Sequence, residues 1–275
     1  MTIRKRPFLP PPALLAVVAI LAAACAPGPA RAGEKAGGPP PAPAPAEAED
    51  GAAEAEEEQE LDPETRKILE RMDETHGTLR SLTTPYRQRR KVRISKRLRK
   101  SRGVLTIRKE GPKKGMKVLF DTKEPFRSKV LFTEEEVVFF DQETGEVKRR
   151  DPSQGGVRPS EIWVLGRPVS TILDHYLVRR LPLSEEEAWE PREDEDEEER
   201  EERPPDYAAK LELVPKAKKI RKWIKRILVW LRPGDALGTK VRLVDRRGDW
   251  QEFLFDAEEM EINPELDEDV FEIKD

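Results

Sequence analysis

Large apolar residues are nearly absent from residues 26–60 and then return at two different spacings. Leu61, Ile68, Leu69, Met72, Thr75, Leu79 and Leu82 recur at helical spacing. Ahead of most of them, Asp62-Pro63 supplies an N-cap and a proline for the first helical position. His76 lies beside this stripe and reads as a packed helix residue. After Pro85 the period drops to two. Strands are expected over Tyr86–Ile94, Gly103–Lys109, Met116–Asp121, Ser128–Phe132, Glu136–Asp141 and Glu146–Arg150, with Glu143-Thr144-Gly145 as a hairpin turn. With no helix between them, these strands must pair antiparallel, in a sheet or barrel.

The second half repeats the alternation of textures. A helical stretch is expected over Ser160–Val178, carrying Ile162, Leu165, Val169, Ile172, Leu173 and Tyr176, with Pro168 breaking it in two. Strands resume at Ala209–Val214. Lys218–Lys225 has Ile220, Trp223 and Ile224 at helical spacing. Arg226–Leu231, Thr239–Asp245 and Asp249–Phe255 read as strands, with Arg246-Arg247-Gly248 as a turn, and Met260–Ile273 as an extended ending. Between the halves, residues 190–203 form a nearly pure acidic tract that reads as a solvated loop, or as a docking arm for a basic partner.

One strand breaks the simple pattern. Val137-Val138-Phe139-Phe140 is apolar on both faces, whereas a sheet covered on one side alternates cleanly. Such a strand needs cover on both sides or faces a lipid-filled cavity. Both readings stand at this point.

The N-terminus changes the setting. Arg4, Lys5 and Arg6 precede an apolar run from Ala13 to Ala24. That run is too short to span a bilayer, which takes about 20 residues, and it fits a secretory signal. Two cleavage sites compete. Ala22-Ala23-Ala24-Cys25 resembles a lipobox, with residues 1–24 removed and Cys25 acylated; Ala30-Arg31-Ala32 is an A-x-A site that would remove residues 1–32. Residues 25–60, rich in Pro, Ala, Gly and Glu, read as a tether. Residues 61–275 then form the folded domain. The expected location is the periplasm, anchored to a membrane if Cys25 is acylated.

Charge and composition narrow the chemistry further. The net charge of −4 becomes −7 once Arg4, Lys5 and Arg6 are lost. Arg87–Arg102 holds ten Lys or Arg residues, read as the wet face of a strand, or as a contact for anionic headgroups or an acidic partner. No nucleic acid is expected for an exported protein. Cys25 is the sole cysteine, His76 and His175 are isolated, and neither metal-ligand spacing nor a catalytic serine, phosphate loop or metalloprotease motif occurs. The expectation is a monomeric, non-enzymatic protein with no metal and no cofactor.

The order of these elements resembles the periplasmic outer-membrane lipoprotein carrier proteins, the LolA-like group, over about residues 66–273. The stretches that carry it are Ile68–Met72 with Leu79, Leu82 and Tyr86-Arg87-Gln88; Ser101–Lys109; Lys117–Phe120 with Pro125 and Phe132; Val137–Asp141; Leu211–Lys216; Ile227–Leu231; and Gly248, Phe255, Asn263 and Val270-Phe271. The resemblance implies an α+β fold, an unclosed antiparallel β-barrel whose concave apolar face is covered by helices. It implies burial of lipoprotein acyl chains there, receipt of cargo from an inner-membrane ABC transporter, and delivery to an outer-membrane acceptor. The residues expected on that face are Val104, Met116, Val118, Phe120, Val130, Phe132, Val138, Phe140, Ile162, Leu165 and Ile172. The family's basic residue directly before the proline turn, which helps latch the lid, has no clean match; Arg108 and Lys109, ahead of Glu110-Gly111-Pro112, are the candidates for that role. The acidic tract is foreign to the family core, and Val118 replaces a usual Trp. Besides a carrier, a membrane-tethered receptor or envelope sensor of the same fold, or a structural envelope protein, fits the same features.

Overall fold

The structure, a computed structural model, describes residues 60–92, 98–111, 115–151, 165–183 and 207–273. The signal region, Cys25, the tether, Ile162 and the acidic tract lie outside the described residues.

Helix α1 spans Pro63–Thr78. Asp62 caps it, with its carboxylate accepting from the Thr65 N–H at 2.9 Å, and that cap together with the Thr65 hydroxyl holds the Asp62 pKa below its usual range. The apolar stripe continues past the helix only in sequence. Leu79 is the C-cap, and Leu82 already belongs to strand β1, Ser81–Lys91.

Strands β2 (Leu98–Lys109), β3 (Met116–Glu124), β4 (Ser128–Phe132), β5 (Val137–Asp141) and β6 (Val147–Arg150) follow as an antiparallel meander. Gly145, at φ +73°, turns the β5–β6 hairpin, and its N–H donates to the Asp141 carbonyl at 2.8 Å.

Helix α2 ends earlier than the periodicity predicts, and residues 160–164 of the expected stretch lie outside the described residues. It spans Val169–His175 behind Pro168, and Tyr176 opens strand β7, Tyr176–Leu181. The apolar residues Tyr176 and Val178 were compatible with either period, and pairing with β8 (Ala209–Pro215) decides it. Likewise the helix expected over Lys218–Lys225 is one turn, α3, Lys218–Arg221. Ile224 then starts β9, Ile224–Leu231. β10 (Gly238–Asp245) and β11 (Trp250–Phe255) complete a second meander. The ending contains β12, Glu261–Ile262, and a 3₁₀ turn, Glu268–Phe271.

The strand order is β6-β5-β4-β3-β2-β1-β11-β10-β9-β8-β7, with β12 on β1. Two meanders are thus fused where the first strand pairs the eleventh, Tyr86 opposite Phe255. The ends of that path, β6 and β7, do not pair, so the sheet is an unclosed antiparallel half-barrel in an α+β fold. Residues on alternate positions of β1–β5 and β7–β11 converge on one apolar cluster with Leu69 and Met72 of α1 and Val169 and Ile172 of α2.

Strand β5 meets cover on both faces. Val137 and Phe139 join the main cluster, while Val138 packs with Leu119, Leu131 and Phe271 on the other side. The C-terminal segment therefore supplies the second cover.

Candidate functional site

Strand register assigns each side chain to a face. Leu105 and Ile107 of β2 lie opposite Phe120 and Val118 of β3, which lie opposite Val130 and Phe132 of β4. Tyr86 of β1 lies opposite Phe255, and Gln88 opposite Phe253. Val241, Val229 and Leu211 extend the row toward β7. All these apolar side chains are buried in one cluster. The Tyr86 ring meets the Phe120 ring at 5.4 Å and Phe253 at 6.0 Å, and Phe120 meets Phe132 at 6.0 Å, all edge-on. Each such pair adds about 0.5–1.5 kcal/mol beyond the area it buries. The Tyr86 hydroxyl, 2.8 Å from Thr122 Oγ1, is the polar atom of this aromatic group, and burial pushes its pKa up.

Met116, Val118, Phe120, Val130, Phe132, Leu165 and Ile172 are thus brought together on the concave side. Val104, Val138 and Phe140 are not. Val104 lies opposite Asp121, Val138 opposite Leu131, and Phe140 opposite Lys129, which places all three on the convex side. The period of two forces this: in β5, one residue of any adjacent pair must point away. Tyr86, Leu105, Ile107, Phe253, Phe255, Leu211 and Leu213 join the concave face in addition. Their own alternation was visible in the sequence, but only the pairing of β1 with β11 puts Phe253, Phe255, Leu211 and Leu213 beside the first meander.

α1 closes over this face through Leu69 and Met72, and single hydrogen bonds tie it to neighbouring segments. Lys109 Nζ donates to the His76 carbonyl. Arg108, the neighbouring residue, points to the opposite face, where its guanidinium lies 4.8 Å from the Phe271 ring. His76 Nδ1 lies 2.6 Å from the Arg167 carbonyl; a carbonyl only accepts, so Nδ1 carries the proton. His76 Nε2 is buried without a partner among the described residues. Burial first, then the Lys109 charge, depress the His76 pKa to about 4, against the Arg167 carbonyl, Asp73 and Asp235. Asp73 accepts from the Val169 N–H at 2.8 Å, tying α1 to α2. Thr75 Oγ1 donates to the Asp235 carbonyl at 2.6 Å, tying α1 to the β9–β10 turn.

At the opposite end of α1 a cleft of about 490 Å³ opens between Asp62, the β7 end at Arg180, Leu181, Pro182 and Leu183, and the β8 start at Ala208 and Ala209. It lies beside β7, at one end of the described sheet, and has the size of a small-molecule site. Among the described residues no group of His, Cys, Asp and Glu is placed to hold a metal ion.

No protein-family model matches the chain, and no curated protein matches it. Among solved structures, it is similar to a putative outer membrane lipoprotein-sorting protein domain from Vibrio parahaemolyticus, at 14% identity and a TM-score of 0.40, covering 74% of this chain and 94% of that one. It is also similar to a LolA superfamily protein from Nitrosomonas europaea, at 13% identity and a TM-score of 0.37, covering 76% and 97%. A third similar structure is the lipoprotein LppX from Mycobacterium tuberculosis, at 10% identity and a TM-score of 0.38, covering 71% and 95%. At these identities and TM-scores the likeness assigns the chain neither a family nor a role.

Proposed function

We propose that the protein is a periplasmic carrier that shelters lipoprotein acyl chains on the concave face of the half-barrel and moves them toward the outer membrane. The observation that carries this reading is the way α1 is held. An apolar face running across both meanders is roofed by a helix with few buried residues, Thr65, Leu69, Met72 and His76, and its ties to neighbouring segments are single hydrogen bonds. Lifting that helix exposes a surface on which acyl chains gain about 25 cal/mol per Å² buried. The cleft at Asp62 and Leu181 gives a starting point for entry at the β7 end of the described sheet. The export signal and the sequence resemblance support the same reading. An inner-membrane ABC transporter as donor and an outer-membrane acceptor belong to it as partners.

The test is mass spectrometry of lipids and acylated peptides that co-purify with the chain isolated from the periplasm. A domain that emerges empty, and that takes up no acyl chain when one is offered, ends the carrier reading.

A second reading is favoured by Cys25. It is the sole cysteine and stands directly at the end of the apolar run. If it is acylated, the domain waits on a tether as a receptor or sensor. Metabolic labelling with an alkyne fatty acid, with Cys25→Ser as the control, separates the two: label on Cys25 removes the free shuttle.

A further inference from the structure

The connection from β8 to β9 carries charge of one sign. Residues 216–225 hold six cations and no carboxylate, in a chain whose net charge is −4. The fold anchors this connection from beneath. Ile220 of α3 and Ile224, the first residue of β9, are 1% and 0% exposed in the main cluster, and Trp223 packs half-buried against it. The charged side chains are left on the outside. Lys216, Lys218, Lys222 and Lys225 are all exposed. None of these four forms an ion pair among the described residues, whereas Lys219 makes an interaction of its own and is left aside.

The neighbouring acids do not offset this charge. Glu212 is committed to Arg226, at 3.0 Å. Asp245 and Asp249, in the β10–β11 turn at the same end of the sheet, are matched by Arg246 and Arg247 of that turn. Asp174, exposed near the end of α2, stands one residue before His175, whose carbonyl accepts the Lys216 N–H at 2.9 Å. It is one carboxylate against six cations. Lys218 and Lys222 moreover stand four residues apart over α3, a spacing at which like charges repel. An anionic surface laid against them removes that cost.

Position and chemistry together point to one partner. β9 starts at this rim and runs eight residues to Leu231, next to the turn whose Asp235 carbonyl holds α1. That length of strand puts about 24 Å between the rim and the tie, so a surface met here leaves the roof of the concave face free. Ammonium groups are strongly hydrated point charges, suited to a plane of diffuse negative charge, whereas bidentate recognition of a single carboxylate or phosphate favours guanidinium. A cluster of about four to eight Lys or Arg is the charge that anionic headgroups attract. The half-buried indole of Trp223 among them is a side chain that settles at headgroup level.

We propose that residues 216–225, the lysine-rich connection between β8 and β9, dock the domain end-on against an anionic lipid surface, with the lysines at the headgroups and Trp223 at the interface.

The test takes the chain with Cys25→Ser, isolated from the periplasm, so that no acyl group on that residue contributes. It is sedimented with vesicles of phosphatidylcholine alone, or of phosphatidylcholine and phosphatidylglycerol in equal parts. Binding is expected to the phosphatidylglycerol vesicles, falling about tenfold or more between 50 and 300 mM NaCl. Each lysine near such a surface is worth about fivefold. Lys216→Gln/Lys218→Gln/Lys222→Gln/Lys225→Gln is therefore expected to weaken binding about a hundredfold or more, with circular dichroism to verify the sheet. A control that removes the same charge elsewhere changes Arg66, Lys67 and Arg71 of α1 and Lys148 of β6 to Gln, all of them exposed. It is expected to weaken binding no more than about threefold, through net charge alone. A lysine variant that binds like its parent, a control that loses as much, equal binding to both vesicles, or binding to neither overturns the proposal. Binding to polyglutamate but not to the vesicles also overturns it, and assigns the rim to an acidic protein. Protein stripped of acyl ligands is expected to bind equally well, which keeps this result separate from the carrier reading.

Discussion

Lys109 reaches across from β2 to donate a hydrogen bond to the main-chain carbonyl of His76, in the last turn of α1. Its neighbour Arg108 faces the other side of the same strand, over Phe271. One residue of register thus separates a side chain that holds the helix from one that holds the C-terminal segment. Lys109→Met keeps the apolar stem and removes the ammonium. It should cost about 1–2 kcal/mol and speed hydrogen exchange in α1 more than in β8 and β9. Arg108→Met should leave α1 exchange unchanged. If both variants loosen α1 equally, Lys109 is no latch.

His76 ties stability to pH. Its folded pKa of about 4 lies below the ordinary 6.5, so the unfolded chain binds the proton first. Above about pH 6.5 the residue contributes no pH dependence. As pH falls from there toward 4, stability declines, by about 3 kcal/mol in all at 1.36 kcal/mol per pKa unit. His76→Gln keeps a donor for the Arg167 carbonyl and removes the titration. Urea unfolding between pH 7 and 4.5 should show a shallower decline for that variant; an unchanged slope would assign the pH dependence to other groups.

Two glycines should respond with opposite signs. A Cβ on Gly103 would stand 2.2 Å from the Asp121 carbonyl oxygen and 2.8 Å from Thr122 Cα, both backbone atoms of the paired strand β3. Gly103→Ala must part β2 from β3 and should cost about 2–3 kcal/mol. Gly77 in α1 has nothing within 4 Å of such an atom, so Gly77→Ala should stabilise by about 0.5–1 kcal/mol through helix propensity. Thermal unfolding of the two variants checks both signs.

On the convex face Glu252 accepts from Arg242 Nε at 2.8 Å and lies 3.4 Å from Lys240 Nζ, both partners of that second pair being 7% exposed. Glu252→Gln strands a buried ammonium and should cost about 3 kcal/mol. Glu252→Leu combined with Lys240→Met removes both charges and should recover most of that loss. A double variant no better than the single would mean that packing, not charge, sets the cost.

Much of the fold was legible along the chain because local chemistry writes it there. Asp62-Pro63 starts α1, Gly145 and Gly248 turn hairpins, and Ser128–Phe132 alternates as a strand with those bounds. Where the reading slipped, two periods were compatible with the same residues. Tyr176 and Val178 sat on a helical stripe, yet pairing with Pro215 and Leu213 made them strand. Leu82 continued the stripe of α1 and belongs to β1.

The sequence by itself determined that alternating strands follow a capped helix, that the set is antiparallel, and which residues are apolar enough to be buried. It did not decide which face they share. Val138 and Phe140 look like Val137 and Phe139 in the sequence, and only the register against β4, with Phe271 arriving from the far end of the chain, sends them to opposite sides. Nor did it bring Phe253 and Phe255 to Tyr86, or gather Lys210, Lys240 and Arg242 around Trp230. Those are long-range pairings, set by which strand edges meet once the chain has folded, and periodicity along one strand carries no information about its neighbour.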